Sequence, residues 1–174
     1  MLNPILLEGG NGRELKKIRR LLIFFIIALV LSGVTAFPLE TELSFVVKCW
    51  PFSRSGPLYG WIQRVSAALV DSNSRYPFLA YGYDWLAFAH LVIAVAFIGV
   101  LRDPVRNKWV IEFGMIACVM VFPLAFIAGP VRGIPIYWRL IDCSFGVIGL
   151  VPLSICYRRI RKIEQAAFTR RPAW

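Results

Sequence analysis

Histidine occurs once in this chain, at position 90, and acidic residues occur ten times against twenty basic ones. A single histidine excludes bis-histidine ligation of a haem or a chlorophyll-type metal. The four cysteines, Cys49, Cys118, Cys143 and Cys156, never approach CxxC spacing, which argues against a CxxC redox or zinc pair, and three of them lie inside expected spans, so a disulfide framework is not expected. Free cysteines inside apolar segments behave as small buried hydrophobes. The chain has no phosphate-binding glycine loop, HExxH, GxSxG or P-loop pattern. No metal and no cofactor is expected, and soluble-enzyme chemistry has no motif to rest on. Charge is also scarce, at 17% of residues, where a soluble domain carries about a quarter.

What fills the chain instead is apolar surface in long runs. Hydrophobic residues make up 58% and the mean hydropathy is +0.64. About 20 consecutive apolar residues cross a bilayer core as a helix. Four segments meet that requirement: 21–39, 85–101, 109–128 and 136–157. The expected fold is an all-α membrane protein, a four-transmembrane-helix bundle occupying residues 21–157. A basic N-terminal segment, 1–20, precedes it, and a basic tail, 158–174, follows. An alternative reads "KKIRR" and the run after it as a signal peptide cleaved after Val34-Thr35-Ala36. The apolar run is longer than most such segments, which favours an uncleaved span.

The extracytoplasmic segment, 40–84, is mixed. "ETELSFVVKCW" suits a short helix, and "PFSRSGP" breaks it. In "LYGWIQRVSAALVDSNSRYP", Leu58, Trp61, Ile62, Val65 and Leu69 recur at helical spacing, while Gln63, Arg64, Ser66 and Asp71 lie mostly elsewhere on the wheel. This predicts an amphipathic helix outside the bundle, with Trp61, Tyr59 and Tyr76 suited to the headgroup zone.

The net charge of +10 is placed so as to argue against nucleic acid. Basic residues flank the apolar runs and form no stripe with interleaved aromatics. Arg13, Lys16, Lys17, Arg19 and Arg20 precede the first span. Arg102, Arg106 and Lys108 occupy the middle loop, and Arg158, Arg159, Arg161, Lys162, Arg170 and Arg171 the tail. Alternation of spans puts all three groups on one side. The positive-inside rule then places both termini in the cytoplasm, and the bilayer is the first partner implied.

Ionisable groups inside a span need a partner or water. The candidates are Asp84, His90, Arg132, Arg139 and Asp142. His90 lies six residues past Asp84, and Asp142 seven past Pro135. At ~1.5 Å per residue both sit roughly 10 Å below the outer boundary. Arg139 is one turn above Asp142, at ion-pair spacing. Pro123, near the same level of the third span, frees the carbonyl of Val119. Ala87, His90 and Ala94 share one helical face, and Asp142, Gly146 and Gly149 another. Small residues admit close helix approach, so these faces are expected to turn inward. The structural expectation is an Arg139–Asp142 pair, with His90 donating to Asp142 or to a backbone carbonyl. The functional alternative is a binding or proton-handling site. On the opposite side, Glu112, Lys108 and Arg158 are expected to form an interfacial salt bridge.

The stretch "YPFLAYGYDWLAFAHLVIA", with "RDPVRNKWVIEFGMIAC" and "GPVRGIPIYWRLIDCSFG", resembles small, uncharacterised four-span bacterial membrane proteins over roughly the last hundred residues. The resemblance implies a bacterial inner membrane and carries over no activity and no catalytic residue. Vitamin K epoxide reductase proteins are also small bundles, but their CxxC is missing here.

Three function classes follow. The first is a non-enzymatic subunit or accessory protein of a membrane assembly, with membrane-protein partners or further copies of itself. The second is a small-molecule or proton-coupled transporter with a polar site around His90 and Asp142. The third is an intramembrane enzyme acting on a lipid-like substrate. The short loops and modest size favour the first, and the reading leans away from an enzyme.

Overall fold

A computed structural model describes residues 10–52 and 54–169. The first nine residues of the basic N-terminal segment lie outside this range, as do Arg170 and Arg171 of the tail. The described residues are helical and contain no strand. The helices are α1 (Gly10–Ala36), α2 (Leu39–Lys48), α3 (Pro57–Arg75), α4 (Tyr81–Arg102), α5 (Lys108–Pro123), α6 (Gly129–Val131) and α7 (Ile136–Thr169). A 3-10 turn, Pro77–Ala80, leads into α4, and a π-turn, Leu124–Ala128, joins α5 to α6. Among the described residues, four stretches are long and apolar enough to cross a membrane: Gly12–Ala36, Pro77–Arg102, Lys108–Val131 and Ile136–Phe168. This is the make-up of a multi-span membrane protein.

All four long helices outrun the apolar windows read from sequence, the second by starting at Tyr81. The first begins within the polar segment, at Gly10, because Leu15, Ile18, Leu22 and Phe25 continue one buried stripe at spacings of three and four. The last runs on through the basic tail to Thr169, with Ile160 and Ile163 buried. The third continues past Ala128 through "GPV", so the reversal is confined to residues 132–135. Gly133, at φ +66°, takes the left-handed conformation that this turn needs.

The chain divides into two compact units, Met1–Ile27 with Val95–Trp174, and Ala28–Ala94. The first is built on α5 against α7. Gly146 of α7 lies so close to α5 that a Cβ there would stand 2.6 Å from the carbonyl oxygen of Cys118. Gly114 of α5 is similarly occupied, since a Cβ would stand 2.8 Å from the Phe97 ring and 2.9 Å from Leu153. Between helices in lipid, such close contact replaces the hydrophobic drive that water supplies elsewhere. Phe25 and Phe97 stack with centroids 4.8 Å apart, and Phe97, Ile111, Leu153, Cys156 and Ile160 are fully buried. The loop after α4 is pinned by Asn107, whose amide donates to the carbonyls of Gly99 and Asp103, both at 3.0 Å.

The second unit contains the outer part of α1, then α2, α3 and the start of α4. Only Phe37 and Pro38 separate α1 from α2. A Cβ at Gly33 would stand 2.9 Å from the carbonyl oxygen of Ala87, so α1 and α4 approach closely here. The amphipathic α3 buries Tyr59, Ile62 and Ser66, so Ser66 belongs to the covered face and not to the polar face expected of it. Asn73, on the same face, donates to Glu40 at 2.6 Å and also bonds the Tyr83 hydroxyl. One amide therefore ties together α2, α3 and α4. Trp50 packs on Tyr59 at 5.5 Å and closes the hairpin between α2 and α3.

Candidate functional site

Pro123 has no N–H to offer the carbonyl four residues back, and Pro130 repeats the defect about two turns later. Between them the chain widens into the π-turn Leu124–Ala128. The widened turn and the following Gly129 leave room beside α7, and Arg139 fills part of it. A Cβ on Gly129 would fall inside the Arg139 side chain. Glycine here is therefore the notch in which the arginine stem lies.

Around this notch is a recess of about 250 Å³. Val121, Leu124 and Ala125 form an apolar wall, and Arg132, Arg139 and Asp142 supply the charges. Leu124 is 67% exposed, so the wall continues onto the outer surface of the helix. Arg139 and Asp142 are half-buried, and Arg132 is exposed. The Nε of Arg139 is buried without a hydrogen-bond partner. Among the described residues, the ion pairs join Lys17 to Glu14, Arg75 to Asp71, Lys108 to Glu164 and Arg159 to Glu14. Arg132, Arg139 and Asp142 enter none of them. Spacing alone suggested that Arg139 and Asp142 would pair. The order of charges explains the difference. Side chains on a helix lean toward its N-terminus, so the arginine leans away from an aspartate that follows it, and acid-before-base is the better arrangement. The Gly129 notch then holds the arginine stem where it lies.

The other expected site residues are placed as follows. Asp84 lies in the second unit, in an open cleft of about 380 Å³ walled by Phe37, Tyr81, Trp85 and Phe88. His90 also belongs to that unit, and its Nδ1 lies 2.8 Å from the carbonyl oxygen of Leu86, one turn back on α4. Because a carbonyl only accepts, Nδ1 is the protonated nitrogen in this bond. Ala87 and Ala94, which share the His90 face, are buried.

Near the other end of α5, Lys108 does not bridge to Glu112 within 4 Å. Its ammonium group holds both carboxylate oxygens of Glu164, at 3.0 and 2.8 Å. Arg159 likewise pairs with Glu14. Arg158 lines a recess of about 420 Å³ together with Glu14, Ile155, Arg159 and Lys162. Sequence reasoning missed Glu14 and Glu164 because both fell in segments assigned to the basic flanks. The signals were present: Glu14 precedes the buried Leu15 and Ile18, and Glu164 follows the buried Ile163.

Among the described residues, no three His, Cys, Asp or Glu side chains gather as a metal site. Cys143 and Cys156 are buried, Cys118 is partly covered, Cys49 is exposed, and all four are free thiols. Comparison with known protein families, curated proteins and solved structures gives no match. The resemblance to small four-span membrane proteins therefore rests on the coarser likeness, which is a small all-α chain with four helices of spanning length.

Proposed function

We propose that the chain is a non-enzymatic component of a membrane assembly that offers the Arg132–Arg139–Asp142 recess to a group the chain itself does not supply. One observation carries this reading. A buried arginine Nε without a partner and an unpaired aspartate share an apolar recess. Charges in such a place are costly unless matched, and the match is absent from the described residues. An outside partner satisfies them.

The same reading puts the protein in a bacterial inner membrane, with both termini cytoplasmic and α3 at the outer surface. The basic residues grouped before α1, between α4 and α5, and along the end of α7 support that orientation. The close fit of Gly33 against α4 supports an uncleaved first helix.

Two measurements test the proposal. Cys49 is exposed, so an impermeant thiol reagent should label it in intact cells, and a C-terminal reporter active only outside the cytoplasm should stay silent. Gentle extraction from native membrane should bring fixed partners, identified by mass spectrometry. Turnover of a lipid by the purified chain, or substrate flux through it in vesicles, would replace this reading with the enzyme or the transporter.

A further inference from the structure

The geometry points to the ligand class of the recess: it takes the headgroup of an aminophospholipid, with the phosphate on Arg132 and Arg139 and the ammonium on Asp142. The inference rests on the proposed use of the recess and names what enters it.

The charges of the recess carry both signs. A site for a simple anion gains nothing from a carboxylate beside its arginines, because Asp142 would repel the ligand. A site for a simple cation is equally ill served by two guanidinium groups. The arrangement suits a group carrying both signs a few bonds apart. Arginine is the side chain matched to phosphate oxygens, through paired N–H donors. An aspartate is acceptor-only when ionised, and an ammonium group offers three donors. Because Arg139 and Asp142 form no ion pair with each other, both charges are free to bond a ligand. No internal bond need break first.

Size and surroundings fit the same ligand. Sites that enclose a drug-sized molecule measure about 300–1,000 Å³. A recess of about 250 Å³ accepts a headgroup but not a whole lipid. The rest of the molecule must lie outside, and the apolar wall of Val121, Leu124 and Ala125 leads there. This wall is part of a membrane-length helix. Acyl chains would lie along it in the bilayer while the headgroup turns inward.

The recess is also preorganised. The notch at Gly129 holds the Arg139 stem before any ligand arrives. Fixing a flexible arginine in advance lowers the ordering cost of binding. It also provides a test that leaves every charge in place. Gly129→Ala should favour the helix by propensity, yet it must expel the arginine from its seat.

The experiment uses the full chain in detergent, titrated with lipid and read by native mass spectrometry. Three lipids share the same acyl chains: phosphatidylethanolamine, phosphatidylcholine and phosphatidic acid. Phosphatidylethanolamine should bind at least tenfold more tightly than either of the others. Phosphatidylcholine keeps the charges but has no N–H donors, and phosphatidic acid lacks the amine. Asp142→Asn should erase the advantage over phosphatidic acid. Arg139→Gln and Gly129→Ala should each weaken phosphatidylethanolamine binding tenfold or more. If Gly129→Ala does not fold, Arg139→Gln and Asp142→Asn carry the test. Free phosphoethanolamine should bind measurably but far more weakly, since the wall then contributes nothing.

Equal binding of the three lipids would overturn the inference, as would an unchanged preference in Asp142→Asn. Binding of free phosphoethanolamine as tight as that of the lipid would overturn its membrane part. Failure of the inference and failure of the proposed function are separable. A photo-crosslinker at Leu124 that captures one fixed protein, with no lipid preference, sinks the lipid and keeps the assembly. A clear lipid preference without any fixed protein partner does the reverse.

Discussion

The two ends of the α5–α7 pair treat charge in opposite ways. Near Lys108, cations and carboxylates find each other across helices: Lys108 holds Glu164 and Arg159 holds Glu14. Near Gly129, two arginines and an aspartate share a recess without pairing. The first end resembles a fastener, because its partners come from distant parts of the chain and fix how helices dock. The second resembles an opening, because its charges remain unspent. Charged residues near membrane helices are thus not one class. What separates them is whether the fold supplies the partner.

The largest effect should come from the platform that both ends share. Gly146→Leu forces a side chain into the space held by the Cys118 carbonyl and should cost about 1–3 kcal/mol of unfolding free energy in detergent, with both ends disturbed together. Normal stability in that variant would show that the helix contact is not what aligns the two ends.

Next comes the paired end. Glu164→Ala strands a half-buried ammonium group and should cost about 1 kcal/mol, between an exposed bridge and a buried one. A double-mutant cycle with Lys108→Ala should return a coupling of about 0.5–1 kcal/mol. Zero coupling would abolish the distinction between the ends.

His90 sharpens the comparison from the second unit, where a polar side chain is satisfied by its own helix. His90→Leu should fold and lose less than about 1 kcal/mol, since the Leu86 carbonyl keeps its backbone donor. An unfolded variant would mean that the other ring nitrogen has an essential partner.

The smallest effect belongs to the recess. With no internal pair to break, Arg139→Met combined with Asp142→Leu should leave stability unchanged or slightly raised, as when buried charges give way to apolar groups. Chemical denaturation of the double variant checks this. A loss of several kcal/mol would mean that the charges are structural after all.

Much of the fold was legible because its cause is local. Long apolar runs oblige a chain in lipid to satisfy its backbone within one helix, so the four spans follow from composition. Their ends did not, because Leu15, Ile18, Ile160 and Ile163 are single apolar residues among charges. A hydropathy window averages them away, although a helical wheel retains them. The charged residues of the recess were legible for the same reason as the spans: Arg139 and Asp142 interrupt apolar sequence. Their failure to pair was not, because a three-residue spacing brings two side chains to one face without stating which way each leans. The Lys108–Glu164 and Arg159–Glu14 pairs join residues far apart in sequence, and only the folded chain brings them together.

The π-turn between Pro123 and Pro130 has a geometric result of its own. A residue inserted into a helical turn rotates all that follows by ~100° about the axis. Without it, the segment carrying Gly129 and Arg132 would point elsewhere around α5. Angular phase is thus set by a local widening rather than by the residues that use it. Removing Phe126 or Ile127 from the π-turn would keep every chemical group of the recess and scatter their directions, converting a converging set of charges into a divergent one.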